Sequence, residues 1–302
     1  MWVSMENQSS VYGKSEMLIE KIMNIIFTVC GLAAVAAVTL ITLYMVFSGT
    51  PGIAKIGVGE FLFSQVWNPE AGQFGILPLI LASVCATILA IIAAVPIGLG
   101  VAVFLTHIAP KKVAEAFLFL IELLAGIPSV VYGLLGAILI VPLVFKLQKA
   151  FQVPTSGNLT AASIVLVIMI LPTIISVSTS SIKAVPRQYQ DASLALGSSK
   201  MQSIMRVIIP AAKSGIVSGI VLGIGRAVGE TMAVMMVAGN AVVMPDFLKP
   251  VRLLTVGISL EWAYSSGIHR EALYGIGLVL FVFIMAINTV LSMILKKGGD
   301  TK

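Results

Sequence analysis

Two opposite charges lie four residues apart inside one of the most apolar stretches of the chain. The stretch GIGRAVGETMAV, residues 223–234, carries Arg226 and Glu230, which would share one face of a helix and could pair there. An arginine in the middle of a membrane span costs about 3 kcal/mol on insertion scales, so such charges are candidates for function. The guanidinium, with its fork of donors, suits a tetrahedral oxyanion. An ion pair that only locks neighbouring helices is the alternative.

The composition places these charges in a polytopic membrane protein. The 302 residues are 58% hydrophobic and 11% charged, with a mean hydropathy of +1.05, whereas soluble domains carry about 25% charged residues. The net charge of +6 comes from basic residues in short loops beside apolar runs, a topology signal rather than a nucleic-acid surface. The first 20 residues lack the pattern of a signal peptide, so we expect the first span to remain as an anchor.

Six apolar segments reach the roughly 20 residues that a bilayer span requires. We therefore predict an all-α fold with six transmembrane helices and both termini in the cytoplasm. The inner segments then carry the larger share of the 19 lysines and arginines, in agreement with the positive-inside rule. The predicted spans are 22–48, 76–106, 113–145, 160–182, 214–238 and 272–295, between an N-terminal tail at 1–21 and a C-terminal tail at 296–302.

The third segment is interrupted at GIPSVVYG, residues 126–133. Pro128 removes a backbone donor and glycines flank it, which indicates one broken or steeply tilted span. One interpretation is a kink that is filled by packing. The other is a broken helix whose backbone groups, with Ser129 and Tyr132, line a transport pathway.

The fifth segment carries small residues at every fourth position: Gly215, Gly219, Gly223 and Ala227. Such a ladder allows two helices to approach closely in a membrane. Because the ladder lies next to the charged face, we expect Arg226 and Glu230 to sit near a helix–helix contact rather than against lipid.

The inner loop at 183–213 has the pattern of two helices joined by a turn. Pro186 suits a helix start, and Gly197 is placed to end that helix in a left-handed turn. Pro210 then begins the next span. In the second helix, at 199–209, one apolar face predicts an amphipathic helix at the membrane surface; the residues of that face are Met201, Ile204, Met205 and Ile208.

Three other classes of protein find little support in the sequence. Gly13-Lys14-Ser15 has Gln8 where a phosphate-binding loop requires glycine, so any ATP chemistry belongs to a partner chain. An intramembrane enzyme would need a nucleophile or metal constellation, and we expect no metal site. An ion-coupled secondary transporter would favour repeated halves and several intramembrane acids. The two histidines, His107 and His269, fall in loops on opposite sides of the membrane. The two cysteines, Cys30 and Cys85, have no polar partner within reach in the sequence.

Two motifs resemble known families of transport proteins. Asp191, Ala192 and Ser193, followed by Gly197 and then by Pro210 thirteen residues later, resemble the EAA loop of ABC importer permeases, with Asp and Ser in place of the usual Glu and second Ala. GRAVGETMAVMMVAGN at 225–240 resembles the fifth-helix signature of the PstC-type permeases of the high-affinity bacterial phosphate transporter. AVPIGLGVAVFLTHIAP at 94–110 and LEWAYSSGIHREALYGIGLVLFVF at 260–283 are similar to the same family. Permeases for sulfate, molybdate or tungstate usually have Phe at the position of Thr231. They are therefore the second choice.

The resemblance implies a type I ABC importer permease with its core at 76–295 and the loop at 183–213 as the contact for ATPase subunits. It implies Arg226, Glu230 and Thr231 on the phosphate route, where Glu230 would neutralise Arg226 until the anion competes for it. The implied setting is the bacterial inner membrane. The implied partners are a second permease, two ATPase subunits, an extracytoplasmic phosphate-binding protein and phosphate itself, with ATP bound only by the ATPase subunits and no cofactor in this chain.

Overall fold

The computed structural model describes residues 14–153 and 155–299. The outer parts of the predicted tails, at 1–13 and 300–302, lie outside the described residues, as do Gln8 and Gly13. Most of the described chain is helical, and it also contains a two-stranded antiparallel ribbon, β1 (Trp67–Asn68) with β2 (Gln73–Phe74). The helices are α1 Lys14–Ile56, α2 Val58–Phe63, α3 Leu77–Val103, α4 Lys111–Ala125, α5 Ser129–Leu135, α6 Val141–Ala150, α7 Leu159–Lys183, α8 Arg187–Ala195, α9 Lys200–Ser203, α10 Ile209–Ala211, α11 Lys213–Gly229, α12 Met232–Val237, α13 Leu254–Glu261 and α14 Gly267–Gly299.

Within the described residues, five helical segments are long and apolar enough to cross a membrane, and a sixth is a bent pair. In that pair, Lys200–Ala211 meets Lys213–Gly229 at 69°, so the first part turns away from the axis of the span that follows. The predicted six-span fold is therefore confirmed. The five are Leu18–Ile56, Leu77–Ile108, Ser129–Ala150, Leu159–Lys183 and Gly267–Val290.

The third predicted segment is broken where Pro128 predicted it, but its boundaries were wrong. The helix α4 ends at Ala125, and a new helix begins at Ser129 after an extended Pro128. The segment that is long enough to span is Ser129–Ala150, which a π-helical turn at Gly136–Ile140 makes continuous from α5 to α6. The 15 residues of α4 are too short to cross the bilayer at 1.5 Å per residue. The predicted span at 113–145 thus joined a separate amphipathic helix to the spanning one.

Small residues hold the centre of the bundle together. Along α3, Ala82, Ala86, Ala90 and Ala94 are fully buried in one core with residues of α7. On the other flank of α7, the glycines of α11 confirm the predicted ladder. A side chain at Gly219 would meet Val177, and one at Gly223 would meet Ile174. Because backbone approaches this close need small residues, α7 lies between α3 and α11 as the central span.

The ribbon and the loops around α13 form a layer tied together by one carboxylate. Glu261 at the end of α13 accepts hydrogen bonds from the indole N–H of Trp67, at 2.9 and 3.0 Å, and pairs with Arg252. Its other oxygen lies 2.8 Å from Nε2 of His269. Arg252 also donates to the carbonyl of Asn240 at 2.9 Å. The carboxylate thereby joins four parts of the chain: the ribbon, α13, the start of α14 and the segment that follows α12.

Gly133 is expected to tolerate no side chain, because α5 lies directly against α12 there. A Cβ at this position would stand 2.7 Å from Cα of Ala233 and 2.9 Å from the sulfur of Met236. We expect Gly133→Val to separate the two helices and to lower the thermal stability of the purified complex. Gly100→Ala is the matched control, since a Cβ at Gly100 meets nothing within 4 Å. Equal melting temperatures for the two variants would contradict this packing.

Candidate transport site and coupling loop

The fifth span does not continue as a helix through its charged motif. The helix α11 ends at Gly229, Glu230 takes an extended conformation with φ −71° and ψ 129°, and α12 starts at Met232. The prediction of a continuous span at 214–238 was therefore wrong. The break falls immediately after the turn that carries Arg226, so the arginine lies in the last turn of α11, where the helix dipole favours a cation.

The predicted ion pair between Arg226 and Glu230 does not form. Neighbours at i and i+4 meet only on an unbroken helix, and the chain leaves the helix at Glu230. The carboxylate, with 8% of the residue exposed, instead accepts a hydrogen bond from the backbone N–H of Ala233 at 2.9 Å. Across the described residues, ion pairs within 4.0 Å occur only at other positions. Glu230 thus satisfies a backbone donor that the break leaves open.

The guanidinium of Arg226 keeps most of its hydrogen-bonding capacity. It is half-buried, and in the described part of the chain its hydrogen bond is the one that Nη1 donates to Oγ1 of Thr173 on α7, at 3.3 Å. A guanidinium has five N–H donors, so several remain to engage an anion. Sequence reasoning missed Thr173, although a hydroxyl next to Pro172 within an apolar span was a visible signal.

A second helix break adjoins the first. Between α4 and α5, the hydroxyl of Tyr132 donates to the carbonyl of Leu124 at 2.6 Å and so bridges the interruption at Pro128. The next residue, Gly133, packs against Ala233 of α12, the residue whose N–H binds Glu230. Two broken spans therefore meet beside the arginine, and irregular backbone at membrane depth is tolerated where protein or a cavity surrounds it.

The structure groups the predicted pathway residues unequally. Arg226, Glu230 and Tyr132 lie around the two breaks, whereas Ser129 stands one turn before Tyr132 at the start of α5. The hydroxyl of Thr231 donates back to the carbonyl of Gly229 at 3.4 Å. Sequence reasoning also missed Thr255 on α13, whose hydroxyl donates to the carbonyl of Glu230 at 2.8 Å. That bond ties the break at Glu230 to α13.

The loop at 183–213 has the predicted helix–turn–helix geometry. The helix α8 covers Asp191, Ala192 and Ser193, and Gly197 follows with φ +85°, as expected for a left-handed turn. Beyond that turn, Ser198 donates to the carbonyl of Ser193 at 2.8 Å. None of the residues of α8 is buried, and Leu196 is 90% exposed. The loop therefore presents a short helix with an apolar tip on the surface of the chain.

The apolar face predicted for the second loop helix divides into a buried and an exposed part. Ile204 and Ile208 are buried, with 1% and 3% exposed, whereas Met201 and Met205 are 49% and 58% exposed. A π-helical turn at Ile204–Ile208 widens the helix, and a helix that is no longer a regular α-helix does not keep the 3.6-residue face. Pro210 lies within α10, at the bend that precedes Lys213, rather than at the first position of the span.

Comparisons with known proteins identify the family. Residues 94–297 match the model of the binding-protein-dependent transport system inner membrane component. The probable ABC transporter permease YqgH of Bacillus subtilis is 37% identical, over 87% of this chain and 88% of its own length. The phosphate transport system permease PstC of Pasteurella multocida is 35% identical, over 85% and 87%, and PstC of Xylella fastidiosa is 32% identical, over 88% and 89%.

Solved structures show the same fold at low sequence identity. A bacterial importer of alginate matches with a TM-score of 0.64 and 13% identity, over 96% of this chain and 98% of that chain. The inward-facing MetNI methionine ABC transporter matches with a TM-score of 0.55 and 19% identity, over 72% and 93%. Together with the apolar spans, these likenesses describe a multi-pass inner membrane protein with an ABC importer permease fold. The chain belongs to the inner membrane component family of binding-protein-dependent transport systems, among the PstC-type permeases.

Proposed function

We propose that this chain is the permease subunit of an ATP-driven importer that passes inorganic phosphate into the cytoplasm. The observation that carries the proposal is the half-buried guanidinium of Arg226, which lies in the last turn before the break of its own span and has most of its donors directed to no other described group. The similarity to PstC proteins of several bacteria supports phosphate as the anion.

Arg226 is the residue that we assign to the anion. A guanidinium binds phosphate through two parallel hydrogen bonds, and such bonds are about twice as strong as neutral ones. Thr173 holds the side chain toward α7 while leaving the remaining donors for the substrate. Tyr132, Ser129 and Thr231 supply hydroxyl groups near the same breaks. A transport site must also release its ion, and the carboxylate of Glu230 at the break opposes tight anion binding.

Glu230 has a structural part in this proposal. Its carboxylate accepts a hydrogen bond from the N–H of Ala233, and its carbonyl accepts one from the hydroxyl of Thr255, so this residue ties the break to α12 and α13. The break places Arg226 at the end of a rigid helix that packs along α7. Movement of α11 relative to α12 would therefore carry the arginine with it, which is the kind of hinge that alternating access requires.

The partners follow from the fold and the exposed loop. We propose that Asp191, Ala192, Ser193 and the elbow at Gly197 dock on an ATPase subunit, and that ATP is bound and hydrolysed only there. A second permease would complete a heterodimer with two ATPase subunits, and an extracytoplasmic binding protein would deliver phosphate. The larger share of lysines and arginines in the segments that hold both termini and the loop at 183–213 supports a cytoplasmic side for these segments by the positive-inside rule.

Uptake into vesicles that hold the assembled complex and its binding protein tests the substrate. We expect ATP-dependent accumulation of phosphate, with sulfate and molybdate accumulated at background rates. If sulfate or molybdate entered and phosphate did not, the chain would serve another oxyanion. If uptake followed an imposed proton or sodium gradient without ATP, it would be an ion-coupled transporter instead.

A further inference from the structure

A cavity of about 460 Å³ lies on the coupling-loop face, away from Arg226. The ends of α3 and α7 form one side of it, and α8 with the second loop helix forms the other. On α7 the cavity is lined by Lys183, which lies ten residues beyond Thr173, or about 15 Å further along the helix axis. The polar residues that line it most usefully for binding are Thr106, His107, Lys183, Arg187, Gln190 and Lys200.

The lining of this cavity is positively charged. Three cationic side chains from three elements line it together with one carboxylate, Asp191, and no described ion pair within 4.0 Å involves any of these four residues. The ammonium of Lys200 donates to the backbone carbonyl of His107 at 2.8 Å, which anchors the loop to the end of α3. Cations gathered in one cleft concentrate the positive potential there and attract anions.

We propose that this cavity binds a phosphate group, separately from the transport site at Arg226. Lysine and arginine are the side chains that proteins use for phosphate oxygens, and here they stand on the end of α7, on α8 and on α9, so that a group with several oxygens joins all three. The cavity falls in the usual size range of ligand sites, about 300–1,000 Å³. It therefore has room for hydrated inorganic phosphate or for a lipid headgroup, and basic pockets of this kind at the cytoplasmic side of membrane helices bind such headgroups.

The two sources differ in what they require. Binding of inorganic phosphate at this face as a product of transport rests on the proposed function, whereas binding of a lipid phosphodiester does not. In either case the occupant links the end of α7 to α8, and so lies between the transport helices and the surface proposed for the ATPase.

Direct binding to the assembled complex tests the site. The complex is placed in phosphatidylcholine nanodiscs without binding protein, with Arg226→Gln removing the transport site and a non-hydrolysable ATP analogue filling the ATPase sites. Equilibrium dialysis with radioactive phosphate then measures binding to three versions: this parent, the parent with Lys183→Gln and Arg187→Gln, and a control with Arg206→Gln and Lys213→Gln. The control removes two charges from the same face at positions that do not line the cavity.

We expect saturable phosphate binding to the parent and the control, and binding weaker by about tenfold or more when Lys183 and Arg187 lose their charges. The exchange of Lys183→Arg with Arg187→Lys keeps the charges and should keep binding.

Native mass spectrometry on nanodiscs that include phosphatidylglycerol distinguishes the two sources. If the complex retains this lipid, and the same two neutral substitutions abolish its retention, the phosphate group is that of a lipid. Equal binding of both ligands by the neutral variant and the control would overturn the site. The proposal would also be overturned if the parent bound neither phosphate nor lipid and the neutral variant lost its ATPase subunits. The cavity would then receive an acidic side chain of the partner instead of a phosphate group.

Discussion

Arg226→Gln is expected to lower ATP-driven phosphate uptake about 100-fold while leaving the complex assembled, because truncating one side of a buried charged contact costs about 2–5 kcal/mol. Glutamine keeps a polar amide but loses the charge and the fork that an oxyanion needs. The measurement is phosphate uptake by vesicles that contain the complex, normalised to the amount of ATPase subunit that co-purifies with the permease.

Two further variants make this result specific. Lys213→Gln removes one charge from the first residue of the same helix and should transport normally. Arg226→Lys keeps the charge but offers no bidentate contact, so its uptake should fall between those of the wild type and Arg226→Gln. Normal uptake by Arg226→Gln in an intact complex would reduce the arginine to a packing contact with α7.

Arg226 could be chosen as a candidate site residue from the sequence because the cost of an arginine in the membrane is a property of the residue itself. The hydrogen-bond partner of Arg226 was not predictable from the sequence. The spacing of Arg226 and Glu230 predicts a helical pair only if the helix is continuous, and the sequence GET contains no proline to indicate an interruption. The break is stabilised by Thr255, 25 residues further along the chain, and a contact of that range leaves no periodic signal near Glu230.

Helix interruptions with a local cause were easier to place. Pro128 predicted the break in the third segment because a proline removes a donor wherever it lies. Which side of the break crosses the membrane depends on neighbours: Gly133 brings α5 against α12, whereas most of α4 stays exposed. Likewise the glycine ladder of α11 was visible, but its partner residues on α7, Ile174 and Val177, required the structure.

Gly197→Val is expected to prevent transport by disrupting the coupling loop rather than the transport site. Gly197 has φ +85°, a conformation that costs a β-branched residue of the order of 1–3 kcal/mol. Since a Cβ there meets nothing within 4 Å, the whole penalty arises from the backbone. The strained turn should displace α8 from its elbow, and we expect co-purification of the ATPase and ATP-driven uptake to fall by about fivefold or more for a loss of this size.

Gly197→Asn is the matched control, because asparagine accepts the left-handed conformation better than other residues with a side chain. It adds a side chain at the same exposed site and should retain ATPase association and most of the uptake. The two variants thereby separate the effect of backbone conformation from that of surface bulk. Equal loss in both would mean that the partner contacts Gly197 directly and leaves no room for a side chain. Normal transport by Gly197→Val would show that the elbow is not needed to connect α8 with the ATPase.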